Sequence, residues 1–163
     1  MAMRLNKLII FSLAFHLFLN SMPLLVQSQE FKLRTTSFNL VKGLAIQGYD
    51  PVAYFSKGKA MKGLATISYT FQGVVYHFSS SSNRDLFAKS PEKYEPQYGG
   101  WCAYAMGNSG EKVEVDPESY KIVDGKLFLF YDSFINHTLK KWNLNQEELN
   151  RKADINWRKY FKL

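Results

Sequence analysis

Residues 74–94, VVYHFSSSSNRDLFAKSPEKY, decide the fold. Val74, Tyr76 and Phe78 alternate with Val75 and His77, which is the two-residue period of a strand with one buried face. The polar run Ser79–Ser82 ends that period. Ser82 is placed to cap a helix over Asn83–Lys89, with Leu86 and Phe87 directed to the core. Pro91 suits the first position of a further turn through Tyr94, and Pro96 stops it. Immediately upstream, Thr66–Phe71 is rich in β-branched and aromatic residues. The intervening Gln72-Gly73 reads as a hairpin turn in which glycine supplies a positive φ.

Outward from this centre, residues 48–58 (GYDPVAYFSKG) read as one short helix. Asp50 caps it, Pro51 occupies its first turn and Gly58 ends it in a left-handed conformation. Residues 29–42 carry no strong period and read as an N-terminal arm or a first short strand. Downstream, Gln97–Ala103 is an aromatic and glycine segment whose Gly99-Gly100 pair permits a bend or close approach. Asp116–Tyr120 reads as a second Asp-Pro turn. Tyr120–Val123 and Lys126–Tyr131 form a second hairpin about Asp124-Gly125, a good type I′ pair. The C-terminal segment is helical: Asn145 with Glu148 resembles a capping box, and Leu149, Ala153, Trp157 and Phe161 recur every four residues as a core stripe. The expected fold is α+β: a small antiparallel sheet of two β-hairpins packed by short helices, with a C-terminal helix.

Arg4 and Lys7 precede a twelve-residue apolar run, Leu8–Leu19, and Val26 and Ser28 are small enough for the −3 and −1 positions of a cleavage site. The run is short for a membrane span, which needs about 20 residues. Residues 1–28 therefore read as a signal peptide cut after Ser28, and the chain is expected in the periplasm or secreted. Residues 1–28 hold Arg4 and Lys7 and no Asp or Glu, so cleavage takes the formal charge from +7 to +5. A basic chain outside the cytoplasm does not have nucleic acid as its natural partner. Its basic residues suit solubility or contact with an anionic envelope or membrane surface. Cys102 is the one cysteine, so no intrachain disulfide is available, and the aromatic content of 16% must stabilise the core through buried area.

The framework Tyr76, Phe78, Phe87, Pro91 and Tyr94, with Asp50-Pro51-Val52 upstream, resembles the core of the YHS domain, a small module related to the TRASH metal-binding domains. In the metal-binding branch three of the positions held here by Ala53, Ser79 and Asn83 are cysteines. The chain is also similar to longer, secreted YHS-domain proteins through Gly48–Phe55, Phe78–Asn83, Pro91–Tyr94, Pro96–Gly100, Cys102-Ala103, Asp116-Pro117 and Asp124–Leu127. In that group the cage cysteines are commonly absent. The resemblance covers a YHS-like core over 43–131 and, more loosely, the helical segment over 132–163, behind the signal peptide over 1–28 and the N-terminal arm over 29–42. The expected function is that of an exported, non-enzymatic YHS-domain binding protein.

The chemistry-bearing residues are few. A structural zinc cage needs four close thiolate or imidazole ligands, and the residues after 28 offer only Cys102, His77 and His137. Copper(I) accepts two or three soft ligands, and Cys102, Met106 and His77 form a candidate set. The packing alternative is that Cys102 is a small buried hydrophobe and Met106 a core filler. His77 alternates away from Tyr76 and Phe78, towards solvent or a second layer. An aromatic pocket from Tyr49, Tyr54, Tyr98, Trp101 and Tyr104, edged by Cys102 and His77, is the expected site for a small ligand. The Ser79–Ser82 run has no nucleophile-elbow glycines, and Cys102 lacks the chain order of known thiol enzymes. Three readings follow: a non-enzymatic binding protein for a soft metal ion such as copper, a metal-free interaction or small-ligand module, and an exported thiol enzyme using Cys102.

Overall fold

Two hairpins organise the chain, each closed by a turn whose chemistry is local. A computed structural model describes residues 28–161; the apolar run Leu8–Leu19, the cleavage signal at Val26 and the side chain of Phe161 lie outside the described set. Strand β3 (Leu64–Phe71) pairs antiparallel with β4 (Val74–Phe78). Their turn places Gln72 at φ 46° and Gly73 at φ 82°, the two left-handed residues of a type I′ turn. Strand β5 (Asp116–Val123) pairs with β6 (Lys126–Phe130) through Asp124 at φ 51° and Gly125 at φ 72°. The expected Asp116–Tyr120 turn is instead the bulged start of β5, with Asp116 Oδ1 accepting from the Glu118 N–H at 2.9 Å.

The fold is α+β, with small sheets, short helices and a C-terminal helix. The hairpins lie in separate sheets. Strands β1 (Leu40–Val41) and β2 (Leu44–Ala45) extend the first sheet in the order β1-β2-β4-β3, with β2 parallel to β4. On β4, Val74, Tyr76 and Phe78 are buried while Val75 and His77 are half-buried on the opposite face, as the alternation predicts.

Several local expectations are corrected. Residues 28–37 are helical (α1) where an arm or strand was expected, and the short strand β1 follows them. The Asp-Pro helix is a single turn, α2 (Ala53–Ser56). Helix α3 (Ser81–Lys89) is capped by Ser80, whose hydroxyl accepts from the Asn83 N–H at 3.2 Å, and not by Ser82. Phe87 enters the core from α3 while Leu86 stays exposed. After α4 (Pro91–Tyr94) and α5 (Ala103–Asn108), a two-residue strand pair, β7 (Asp132–Ser133) and β8 (Asn136–His137), leads into α6 (Thr138–Leu144) and then α7 (Gln146–Phe161).

The core has two parts. One gathers Val52, Tyr54, Val74, Tyr76, Phe78, Phe87 and Cys102 between the first sheet and its helices. The other gathers Met106, Phe128, Phe130, Trp142, Leu149 and Ala153 beneath α6 and α7. Helices α5 and α7 touch through Gly107, where a Cβ would fall 2.4 Å from the Leu149 carbonyl oxygen.

Candidate functional site

Ala53, Ser79 and Asn83, the positions that are cysteines in the metal-binding branch of the resembling family, converge on Asp50. This carboxylate is 0% exposed. Its Oδ1 accepts from the N–H groups of Val52 at 2.9 Å and Ala53 at 3.2 Å, which is the cap expected of it. Its Oδ2 accepts from the Ser79 N–H at 2.8 Å, the Ser79 hydroxyl at 2.6 Å and the Asn83 amide at 2.7 Å. Five neutral donors therefore surround one buried carboxylate, which satisfies the hydrogen-bonding demand that burial imposes. The network links the start of α2, the end of β4 and α3.

The candidate copper ligands are not brought together. Cys102 is 0% exposed. Its sulfur accepts from the Tyr131 N–H at 3.3 Å and lies 3.5 Å from the Thr138 hydroxyl. Met106 packs in the other half of the core. His77 lies on the face of β4 opposite Tyr76 and Phe78, which share the Cys102 cluster, and it borders Gly48. Among the described residues no group of three or more His, Cys, Asp and Glu side chains is close enough to hold a metal ion.

The expected aromatic pocket is also dispersed. Tyr54 is buried with its hydroxyl donating to the Pro117 carbonyl at 2.8 Å. The Tyr49 hydroxyl donates to Glu118 at 3.1 Å. The Trp101 indole donates to the Ser37 carbonyl at 2.7 Å and so fastens α1. Of those aromatics, Tyr98 lines a cleft, and its neighbours there come from elsewhere in the chain.

That cleft, about 420 Å³, lies between α1, the turn after α4 and α7. Three cations (Arg34, Lys126, Arg158), three carboxylates (Glu92, Glu95, Asp154) and three aromatic rings (Phe38, Tyr98, Trp157) line it. Its floor is the turn Gln97–Gly100, in which Tyr98 has φ 56°, Gly99 φ 59° and Gly100 φ 83°. A left-handed conformation is unfavourable for a bulky residue, and such strain concentrates at functional sites. Gly99 is required by contact as well as by φ: a Cβ there would meet the Phe38 ring at 2.7 Å and Trp157 at 2.9 Å. The Tyr98 hydroxyl lies between Asn150 Oδ1 at 2.9 Å and Asp154 Oδ1 at 3.0 Å. Burial, reinforced by Asp154, pushes its phenol above the ordinary range, so it remains a donor.

The back of the cleft holds a buried ion pair. Arg34 Nη2 donates to Glu95 Oε1 at 2.5 Å, and the Tyr76 hydroxyl donates to the same oxygen. The guanidinium stacks over Phe38 at 4.5 Å and Phe71 at 5.2 Å from the ring centroids. Burial raises the Glu95 carboxyl above its ordinary value against the opposing pull of Arg34 and Tyr76. The Tyr76 phenol is raised too, by burial first and by the Glu95 charge second.

Arg34, Glu95 and Asp154 escape a reading of the sequence because they are isolated polar residues far apart in the chain. Trp157 is visible only as one position of a core stripe. The one signal for this place is Gly99-Gly100 beside Tyr98. Comparison with known proteins returns no match to a family model, a curated protein or a solved structure.

Proposed function

We propose that the chain is an exported, non-enzymatic binding module of YHS-like type that takes a small organic ligand and no metal. The observation that carries this reading is the cleft over the strained Tyr98–Gly100 turn. Charges of both signs stand there within one aromatic-lined recess, which suits a small zwitterion with a flat apolar part, such as an amino-acid-like molecule. Arg158 and Lys126 offer partners to a carboxylate, and Asp154 and Glu92 to an ammonium group. Arg34 and Glu95 are already paired with each other through Nη2 and Oε1 and form one wall of the cleft.

The soft-metal reading has less support, since Cys102 is sealed and His77 faces the other side of the sheet. The thiol-enzyme reading is weakened by the same burial, because a reactive thiolate needs access and an activating neighbour. Export rests on Arg4, Lys7 and Leu8–Leu19.

The test is a thermal-shift panel of zwitterionic, purely anionic and purely apolar small molecules. Zwitterions should stabilise the protein, by about 2.7 kcal/mol at a hundredfold excess over Kd. Combined Asp154→Asn and Arg158→Gln should remove the effect. A panel without any stabilising zwitterion, or stabilisation that survives both substitutions, overturns the assignment.

A further inference from the structure

We propose that the Phe134–Ile135 tip is a membrane-contact element that enters an anionic lipid surface. These two residues form the turn between β7 and β8, where Ser133 pairs with Asn136. Phe134 is 98% exposed and Ile135 88%. The other two-residue hairpin turns among the described residues, Lys42-Gly43, Gln72-Gly73 and Asp124-Gly125, use glycine and positive φ, the ordinary solution for such turns. The fourth abandons that solution for a phenylalanine and an isoleucine, neither at positive φ. Two large apolar side chains held in water contribute nothing to the core, and a local rule broken without a folding reason points to use outside the fold.

The tip is held rigidly. His137 Nδ1 and Asp132 Oδ1 are 2.6 Å apart across the base of the hairpin. The Thr138 hydroxyl donates to the Tyr131 carbonyl at 2.6 Å. Just beyond, α6 carries the exposed Lys140 and Lys141, neither in an ion pair among the described residues, and ends at Leu144, which is 87% exposed. Asp132 is the sole acid between residues 131 and 146, and it is engaged by His137. Apolar residues followed by two exposed lysines outside any ion pair, with Lys141 Nζ 5.9 Å from the Tyr104 ring centroid, match the boundary of an anionic bilayer, where acyl chains and headgroup charge are adjacent. A protein partner fits less well: a stable interface covers about 800 Å² on each side, far more than two protruding side chains offer, whereas lipid needs no complementary shape. This proposal is independent of the cleft and of its ligand.

The test places a polarity-sensitive thiol dye on Ile135→Cys. Cys102 is buried, so the dye reports residue 135 alone, and binding through the apolar N-terminal run does not imitate it. With vesicles of equimolar phosphatidylglycerol and phosphatidylethanolamine the emission should shift to the blue. Partition onto pure phosphatidylcholine should be at least about tenfold weaker. Phe134→Asp should reduce partition about tenfold, and Lys140→Glu with Lys141→Glu should abolish the preference for anionic lipid. A dye that stays in water while the protein sediments with vesicles overturns the proposal. So does equal binding to both lipids, or a blue shift that grows with protein concentration in the absence of vesicles, which would assign the tip to self-association.

Discussion

At the scale of single residues, Asp50 ties together three stretches of the chain. A cage of cysteines and metal ties neighbouring segments by coordinate bonds; here a carboxylate ties them by five hydrogen bonds to Val52, Ala53, Ser79 and Asn83. The arrangement is demanding, because removing the acceptor leaves buried donors on three elements without partners. Asp50→Ala should therefore cost about 3–5 kcal/mol, well above the typical single substitution. Asp50→Asn should not restore the loss, since one half of the amide would face donors. Urea unfolding of the two variants checks this, and a loss under about 1 kcal/mol for Asp50→Ala would show that the network is not a structural tie. The capping role of Asp50 is legible in the sequence because Asp-Pro before an apolar pair is a local signal. The bonds to Ser79 and Asn83 are not legible, because they span about thirty residues of chain. The mistaken cap in the run Ser79–Ser82 has a similar origin: four adjacent serines have the same local chemistry, and only the paths of β4 and α3 select Ser80.

At the scale of elements, α1 is the part of the fold that the sequence conceals. Residues 28–37 (SQEFKLRTTS) show no apolar stripe, so nothing local argues for a helix. Its stability comes from tertiary contacts: Arg34 on Glu95, Ser37 accepting from Trp101, and the following Asn39 N–H donating to the Gly99 carbonyl at 2.9 Å. The hairpins are the opposite case, being set by Gln72-Gly73 and Asp124-Gly125 alone. The buried Arg34–Glu95–Tyr76 contact gives α1 a dependence on pH. Burial raises the Glu95 carboxyl in the folded state above its ordinary 4.5, so over the interval above 4.5 the folded chain holds this proton more tightly than the unfolded chain. The contribution of Glu95 to stability is thus fully present below 4.5 and is lost as pH rises through the raised folded value. Glu95→Gln should flatten that slope. Unfolding midpoints measured in both proteins from pH 4.5 to neutrality decide the matter; an unchanged slope in the variant would remove Glu95 as its source.

At the scale of the whole molecule, the α+β architecture follows from its periodicities, while the candidate site does not. The cleft draws on α1, the turn after α4, β6 and α7, so its residues share no motif, and Tyr98 is the one member that sequence reasoning reaches. The two core clusters meet around α5 without a disulfide, Cys102 being the one cysteine and free. A small chain that needed a metal ion to fold would unfold when the metal is withdrawn, because the binding free energy of a structural site is folding free energy. Here the Asp50 carboxylate is held by five neutral donors, and Cys102 is engaged by Tyr131 and Thr138. Thermal unfolding with and without a strong chelator should therefore coincide, and added copper(I) or zinc should not raise the midpoint. A midpoint lowered by the chelator and restored by one of these metals would mean that the chain holds an ion through some other set of ligands. The metal-free assignment would then fall, whatever the outcome of the zwitterion panel.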